Sequence, residues 1–179
     1  MPQLGFGASR IYPDTAAVEG LVCATINYAS DFSAGVDGYA LVDDGDDVLG
    51  AVQGNIDGVG GLDDNLRIRF SYASGTANLT EEVANTSDID APTIGCAYRV
   101  SFRVFFATGN TVVDRINSVT FGGHTVTVHT TGQTLNSWIN CSADVTATST
   151  SNDLVIQVPS NSSVHNEFFY LRTVGIVNI

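Results

Sequence analysis

The sequence predicts an all-β chain: an antiparallel β-sandwich of jelly-roll type, preceded by an extended N-terminal arm. Three observations carry this. No stretch holds a 3.6-residue apolar period over three helical turns. β-branched and aromatic residues are abundant, and turn-forming residues punctuate the chain every eight to twelve positions. In the clearest runs apolar and polar residues alternate, as a strand with one buried face requires. The 179 residues make one domain, a size that buries about 70% of the unfolded surface without staples. The arm is assigned to residues 1–15 and the sandwich to 16–179.

The elements follow in order. "MPQLGFGASRIYPDT" has two prolines, two glycines and no sustained period, yet Leu4, Phe6, Ile11 and Tyr12 are too apolar for a purely solvated tail. Such an arm docks on its own domain or on a neighbour. Strands are expected at 21–28, 38–42 and 48–53, the last two joined by "DDGDD" as a hairpin tip. "GNIDGVGGLDDN" is a loop on glycine and aspartate density, and "LRIRFSY" a strand with Leu66, Ile68, Phe70 and Tyr72 inward and Arg67, Arg69 and Ser71 outward. The long polar stretch 73–95 holds a short helical turn at 79–83, with Asn78 as its N-cap. In "YRVSFRVFF", Tyr98, Val100, Phe102, Val104 and Phe106 share one face, and Arg99, Ser101, Arg103 and Phe105 the other. "SVTFGGHTVTV" is a hairpin around Gly122-Gly123, which sets Phe121 opposite His124 and Val119 opposite Val126. Further strands are expected at 135–146, 154–158 and 167–177.

The charge is strongly acidic, −12 in net terms, and all seven cations are arginine: Arg10, Arg67, Arg69, Arg99, Arg103, Arg115 and Arg172. Nucleic acid and anionic membranes are repelled at long range by such a chain, so neither is a partner. The N-terminus has no basic segment followed by an apolar one, so it does not read as a signal peptide, and no run reaches the roughly 18 apolar residues of a membrane span. The four Asn-x-Ser/Thr sequons, at Asn78, Asn85, Asn140 and Asn161, then read as incidental. Three widely spaced cysteines, Cys23, Cys96 and Cys141, do not form a disulfide framework. They read as buried thiols, with one bridge plus a spare thiol as the alternative.

Motifs for catalysis are missing. There is no Gly-x-Ser-x-Gly elbow. His124 and His129 differ by an odd number of positions and so point to opposite faces of a strand, and His165 lies in a loop. Thirteen of the nineteen acids fall between residues 31 and 90, where they read as solvated loop tips rather than a hydrolytic pair. No cofactor is implied. Calcium is the one candidate metal, at Asp43, Asp44, Asp46 and Asp47 with Asp37 or Asp57 nearby, but the spacing departs from an EF-hand loop and a plain acidic turn accounts for it. Trp138, the only tryptophan, shares parity with Asn136 and Asn140 and so lies on the polar face of its strand if that strand is regular, a candidate platform for a sugar ring, whereas core packing through a bulge is the favoured plain reading. Arg67, Arg69, Arg99 and Arg103 form a cationic stripe if their two strands are neighbours, to be met by acids of another chain or by local cross-strand acids.

The opening "MPQLGFGASRIYPDTAAVEGLV", an arm leading into a strand, and the sandwich-like second half from "SVTFGGHTVTVHTTGQTLNSWINC" to "FFYLRTVGIVNI" resemble the jelly-roll virion proteins of tailed bacteriophages, in particular capsid decoration or cement proteins. That resemblance implies a non-enzymatic virion surface protein, made in the host cytoplasm. Its partners would be the major capsid protein and itself, as a homotrimer, with the arm and the arginine face as contacts. The second half also looks like carbohydrate-binding modules, which implies the alternative: glycan recognition through Trp138, alone or as the receptor-binding part of a phage tail.

Overall fold

A computed structural model of the protein describes residues 20–42, 51–70, 80–107, 116–128, 135–159 and 167–179. The arm with Leu4, Phe6, Ile11 and Tyr12, the aspartates Asp43, Asp44, Asp46 and Asp47, and His129 and His165 lie outside them. Eleven strands are formed among the described residues: β1 (Asn27–Ser30), β2 (Tyr39–Val42), β3 (Ala51–Ile56), β4 (Asn65–Phe70), β5 (Thr80–Asn85), β6 (Ala97–Phe106), β7 (Ser118–Phe121), β8 (His124–Thr127), β9 (Trp138–Thr146), β10 (Leu154–Pro159) and β11 (Glu167–Asn178). One sheet runs β3-β4-β11-β6-β9, with β1 also pairing with β11; the other runs β2-β5-β10-β7-β8. All pairs are antiparallel.

From β4 to β11 the pairing is nested: β4 with β11, β5 with β10, β6 with β9 and β7 with β8. Successive pairs alternate between the two sheets. This is the winding of a jelly roll, in which one long antiparallel ribbon folds over itself. The core lies between the sheets, where the inward rows meet: Tyr98, Val100, Phe102, Val104 and Phe106 of β6, Leu66 and Ile68 of β4, Phe169, Leu171, Val174 and Ile176 of β11, facing Val83, Val119, Phe121, Leu154 and Ile156. Tyr98 and Phe121 meet edge to face across the gap at 5.8 Å between ring centroids. The parity read from the sequence for β6 and for Leu66 and Ile68 is therefore the one the fold uses. The side chains of Phe70 and Tyr72 lie outside the description.

The Gly122-Gly123 hairpin forms as expected. Phe121 pairs with His124 and Val119 with Val126, and both glycines have positive φ, 58° and 71°. A Cβ on Gly122 would come within 2.7 Å of the Ala147 methyl, so the turn also needs glycine for its close approach to the end of β9.

Four expectations are corrected. β2 and β3 are not the two arms of a hairpin, because β2 pairs with β5 and β3 pairs with β4 in the other sheet. Residues 80–83 do not form a helical turn, and the rest of that expectation, Leu79 with Asn78 as N-cap, lies outside the described residues. Thr80–Asn85 is a strand between β2 and β10, which supply backbone partners on both edges while Val83 enters the core. Tertiary pairing overrides the weak local preference of a polar stretch. Residues 20–26 lead into β1 without pairing. Asn178 takes the place of a partner strand there, accepting from Ile26 N at 2.8 Å and donating to Ala24 O at 2.8 Å. Finally, Cys23 and Cys96 form a disulfide, so the reading of three buried thiols holds only for Cys141. Spacing alone does not reveal that the segment before β1 returns beside the start of β6.

Candidate functional site

The outward face of the six-stranded sheet carries the chemistry. Cross-strand register arranges its side chains in rows. Gln53, Arg67, Tyr170, Phe105 and Trp138 form one row from β3 to β9. Arg172, Arg103 and Asn140 form the next, and Gly175, Ser101 and Ser142 the one after. Val177, Arg99 and Asp144 close the series.

The aromatic row is built, not incidental. Phe105 packs on Trp138 at 5.4 Å and on Tyr170 at 6.1 Å, and it is 7% exposed although it points away from the core. The loop between β3 and β4 reaches over these rings. Gly60 and Gly61, with φ of 55° and 78°, make a tight turn closed by Leu62 N donating to Val59 O at 3.0 Å. Val59 O in turn accepts from Trp138 Nε1 at 3.1 Å. A Cβ on Gly60 would lie 2.8 Å from both Trp138 Nε1 and Phe105 Cε2, so only glycine permits this approach. Buried Asn65 anchors the loop by donating to Ile56 O and Leu62 O. Gly58 N and Asp64 N donate to Asp63 and Asp57. Trp138 lies on the polar face, as its parity with Asn140 requires, but it is a half-buried ring held in one orientation. The Arg103 guanidinium sits 5.4 Å from its centroid.

Beside this row is a depression of about 380 Å³, lined by Ser101, Arg103, Asn140, Ser142 and Thr173, with Phe102 and Cys141 in its floor. Its rim offers hydroxyls, an amide and one guanidinium, and no carboxylate. The Cys141 side chain belongs to the core, and burial pushes its thiol up to about 11, which leaves it protonated and unreactive at neutral pH. The depression ends where β11 breaks its alternation. Between Arg172 and Gly175 the pairing with β6 shifts, and Thr173 adopts φ of 47°. This is a β-bulge centred on a β-branched residue in the left-handed region, a strained conformation. On the same edge of β11, β4 pairs up to Leu171 and β1 begins at Val174, so the bulge falls in the gap between them. A smaller depression, about 210 Å³, opens there among Ala29, Ser30, Asp31, Thr173, Val174 and Gly175.

The arginine stripe required Arg67 and Arg69 to stand on a strand next to that of Arg99 and Arg103, and this condition fails. β4 and β6 are not neighbours; β11 lies between them and contributes Arg172 and Tyr170. Arg99 is taken by a local acid, as a bidentate pair with Asp144 at 2.7 and 2.8 Å, and this hydrogen bonding holds the Asp144 carboxyl below its usual range. Arg67 donates to Gln53, and Arg69 is exposed at the outer row. His124 serves structure: its Nδ1 accepts from Thr146 N at 3.1 Å. Asn85 is fully buried, donating to Tyr28 and Asp37, and is no glycan acceptor in the folded chain. Among the described residues, no group of three His, Cys, Asp or Glu side chains is placed to hold a metal ion. Phe105, Tyr170, Arg172, Ser142 and Thr173 were not singled out from sequence. Parity put Phe105 on the face of Arg103, but alternation does not name the residues that stand opposite it on the neighbouring strands.

No protein-family model matches the chain, and no curated protein matches it by sequence. Solved structures do match it in fold. The CBM22-1 xylan-binding domain of a Paenibacillus barcinonensis protein superposes with a TM-score of 0.60 at 14% identity, over 86% of this chain and 94% of that one. The CBM22-1 and GH10 modules of Clostridium thermocellum endo-1,4-beta-D-xylanase 10B, solved with xylohexaose, give 0.57 at 16% identity, over 87% of this chain and 28% of that one. The K1 cleaved adhesin domain of Lys-gingipain from Porphyromonas gingivalis gives 0.52 at 13%, over 84% and 96%. At these identities the likeness establishes the β-sandwich fold.

Proposed function

We propose that this chain is a non-enzymatic glycan-binding module whose site is the outward face of the six-stranded sheet. The observation that carries the reading is the juxtaposition of the half-buried Trp138 and Tyr170 rings, packed on buried Phe105, with the adjoining depression lined by Ser101, Arg103, Asn140, Ser142 and Thr173. A sugar ring presents an apolar face and a rim of hydroxyls, and it is matched by an aromatic surface beside fixed hydrogen-bonding groups. The depression lacks a carboxylate or an activated nucleophile, which supports binding rather than hydrolysis. Similarity in fold to xylan-binding domains supports the same reading. It is the alternative that the second half of the sequence suggested.

The capsid-decoration reading stays a proposal resting on sequence resemblance alone. None of the three structures named above is a virion protein, and the arm on which that reading leans lies outside the described residues. The acidic loop proposed for calcium lies outside them too.

The test is binding of the purified chain to an array of plant and microbial glycans, with calcium and with chelator. Binding is expected to at least one class, and Trp138→Ala should weaken it about tenfold, the equivalent of roughly 1.4 kcal/mol. A chain that binds no glycan under either condition would remove this reading.

A further inference from the structure

We infer that the glycan this face receives is anionic, with Arg103 and Arg172 forming the subsite for a sugar carboxylate; this rests on the glycan-binding reading. The two arginines are direct cross-strand partners on β6 and β11. Like charges placed opposite each other destabilise a sheet. Among the described residues of the rows around them, only the Trp138 ring offsets this, 5.4 Å from the Arg103 guanidinium, and the one strand acid, Asp144, is held by Arg99. The other cross-strand neighbour of Arg103 is Asn140, which is uncharged. Arg103 Nε and Arg172 Nη1 are both buried without a hydrogen-bond partner. A buried guanidinium N–H left unpaired is costly, and both side chains are only half-buried, so their remaining N–H groups are open to an acceptor.

The surroundings favour an acceptor from outside. All five arginines of the described residues, Arg67, Arg69, Arg99, Arg103 and Arg172, lie on this one face. Among the described strand side chains of that face Asp144 is the only acid, and Arg99 already holds it with both oxygens. The loop acids Asp57 and Asp63 are used by backbone N–H groups of their own loop. Asp31, at the end of β1, accepts from Ser33 N and Ser33 Oγ; it feels Arg172 only as its weakest influence. A chain with a net charge of −12 thus carries the five arginines of its described residues on the face with the two depressions. The long-range repulsion of an anion is screened within about 8 Å at physiological salt, so the local field decides. A planar carboxylate matches the guanidinium fork, and the hydroxyls of Ser101, Ser142 and Thr173 suit the sugar's own hydroxyls.

The experiment uses oligosaccharides in matched pairs, each uronic-acid sugar beside the same sugar with its carboxylate reduced to a hydroxymethyl group. The full chain should bind the acidic member about tenfold or more tightly, with an affinity that falls as salt is raised. Arg103→Gln and Arg172→Gln should each lower the acidic affinity about tenfold, towards that of the reduced sugar. Equal binding of the two members by the unaltered chain overturns the carboxylate subsite and leaves the glycan reading standing. Displacement by dextran sulfate as effective as by the acidic sugar also overturns it, because that marks bulk charge attraction. Binding to neither member of any pair overturns both.

Discussion

Gly60 shows how much of the site depends on single residues. It has φ of 55°, and its missing side chain is what lets the β3–β4 loop close on Trp138 and Phe105. Gly60→Ala adds a Cβ in the left-handed region, about 1–2 kcal/mol, and a clash with the Trp138 and Phe105 rings. The expected result is a lower denaturant midpoint together with a red-shifted tryptophan emission. Trp138 is the only tryptophan, so that signal reports this loop alone. An unchanged emission maximum would mean that the loop does not hold the ring. Glycine density in "GNIDGVGG" was legible as a loop, but nothing in it named the ring it covers.

At the scale of elements, β11 is the organiser. It is the twelve-residue strand that pairs with β6 along one edge and with β4 and then β1 along the other. Its bulge at Thr173 is the strained point. Thr173→Gly removes a β-branched side chain from positive φ and is expected to raise stability by up to about 1 kcal/mol with an unchanged denaturant slope. A loss of about 0.5–1 kcal/mol instead, the ordinary cost of glycine within a strand, would show that the bulge is relaxed. The same change removes a hydroxyl from the depression, so the affinity of the variant should fall while its stability rises. Alternation in "EFFYLRTVGIVN" is interrupted at Thr173 and Val174, but a bulge and a change of strand partner leave the same trace in a sequence. β5 teaches the converse: its polar residues carry no strand signal, and two flanking strands impose the conformation.

At the scale of the whole molecule, the Cys23–Cys96 disulfide closes a span of 73 residues and ties the lead-in to β1 onto the start of β6. Chain entropy assigns such a loop about 4 kcal/mol. The Cys23→Ala/Cys96→Ala double variant is therefore expected to lose about 2–4 kcal/mol in urea unfolding while keeping the β-rich far-ultraviolet spectrum, because neither cysteine takes part in a strand pairing. A loss below about 0.5 kcal/mol would show that the lead-in segment is held by Asn178 and Thr93 instead, which hydrogen-bond it at 2.8–2.9 Å.

The sequence by itself determined the fold class, the inward rows of β6 and the first part of β4, the Gly122-Gly123 hairpin to the residue, and, given a regular strand, the polar-face position of Trp138. All of these follow from period-two alternation and local turn chemistry, which act over a few neighbouring residues. Only the tertiary structure decided which strands stand side by side. That placed Arg172 opposite Arg103, Tyr170 beside Phe105, and Cys23 against Cys96, and it set the two arms of a supposed hairpin in different sheets. The physical reason is range. Alternation says which way a side chain faces, whereas the partner across the sheet is set by the nested winding of the whole chain, in which β4 and β11 pair around everything that lies between them in sequence.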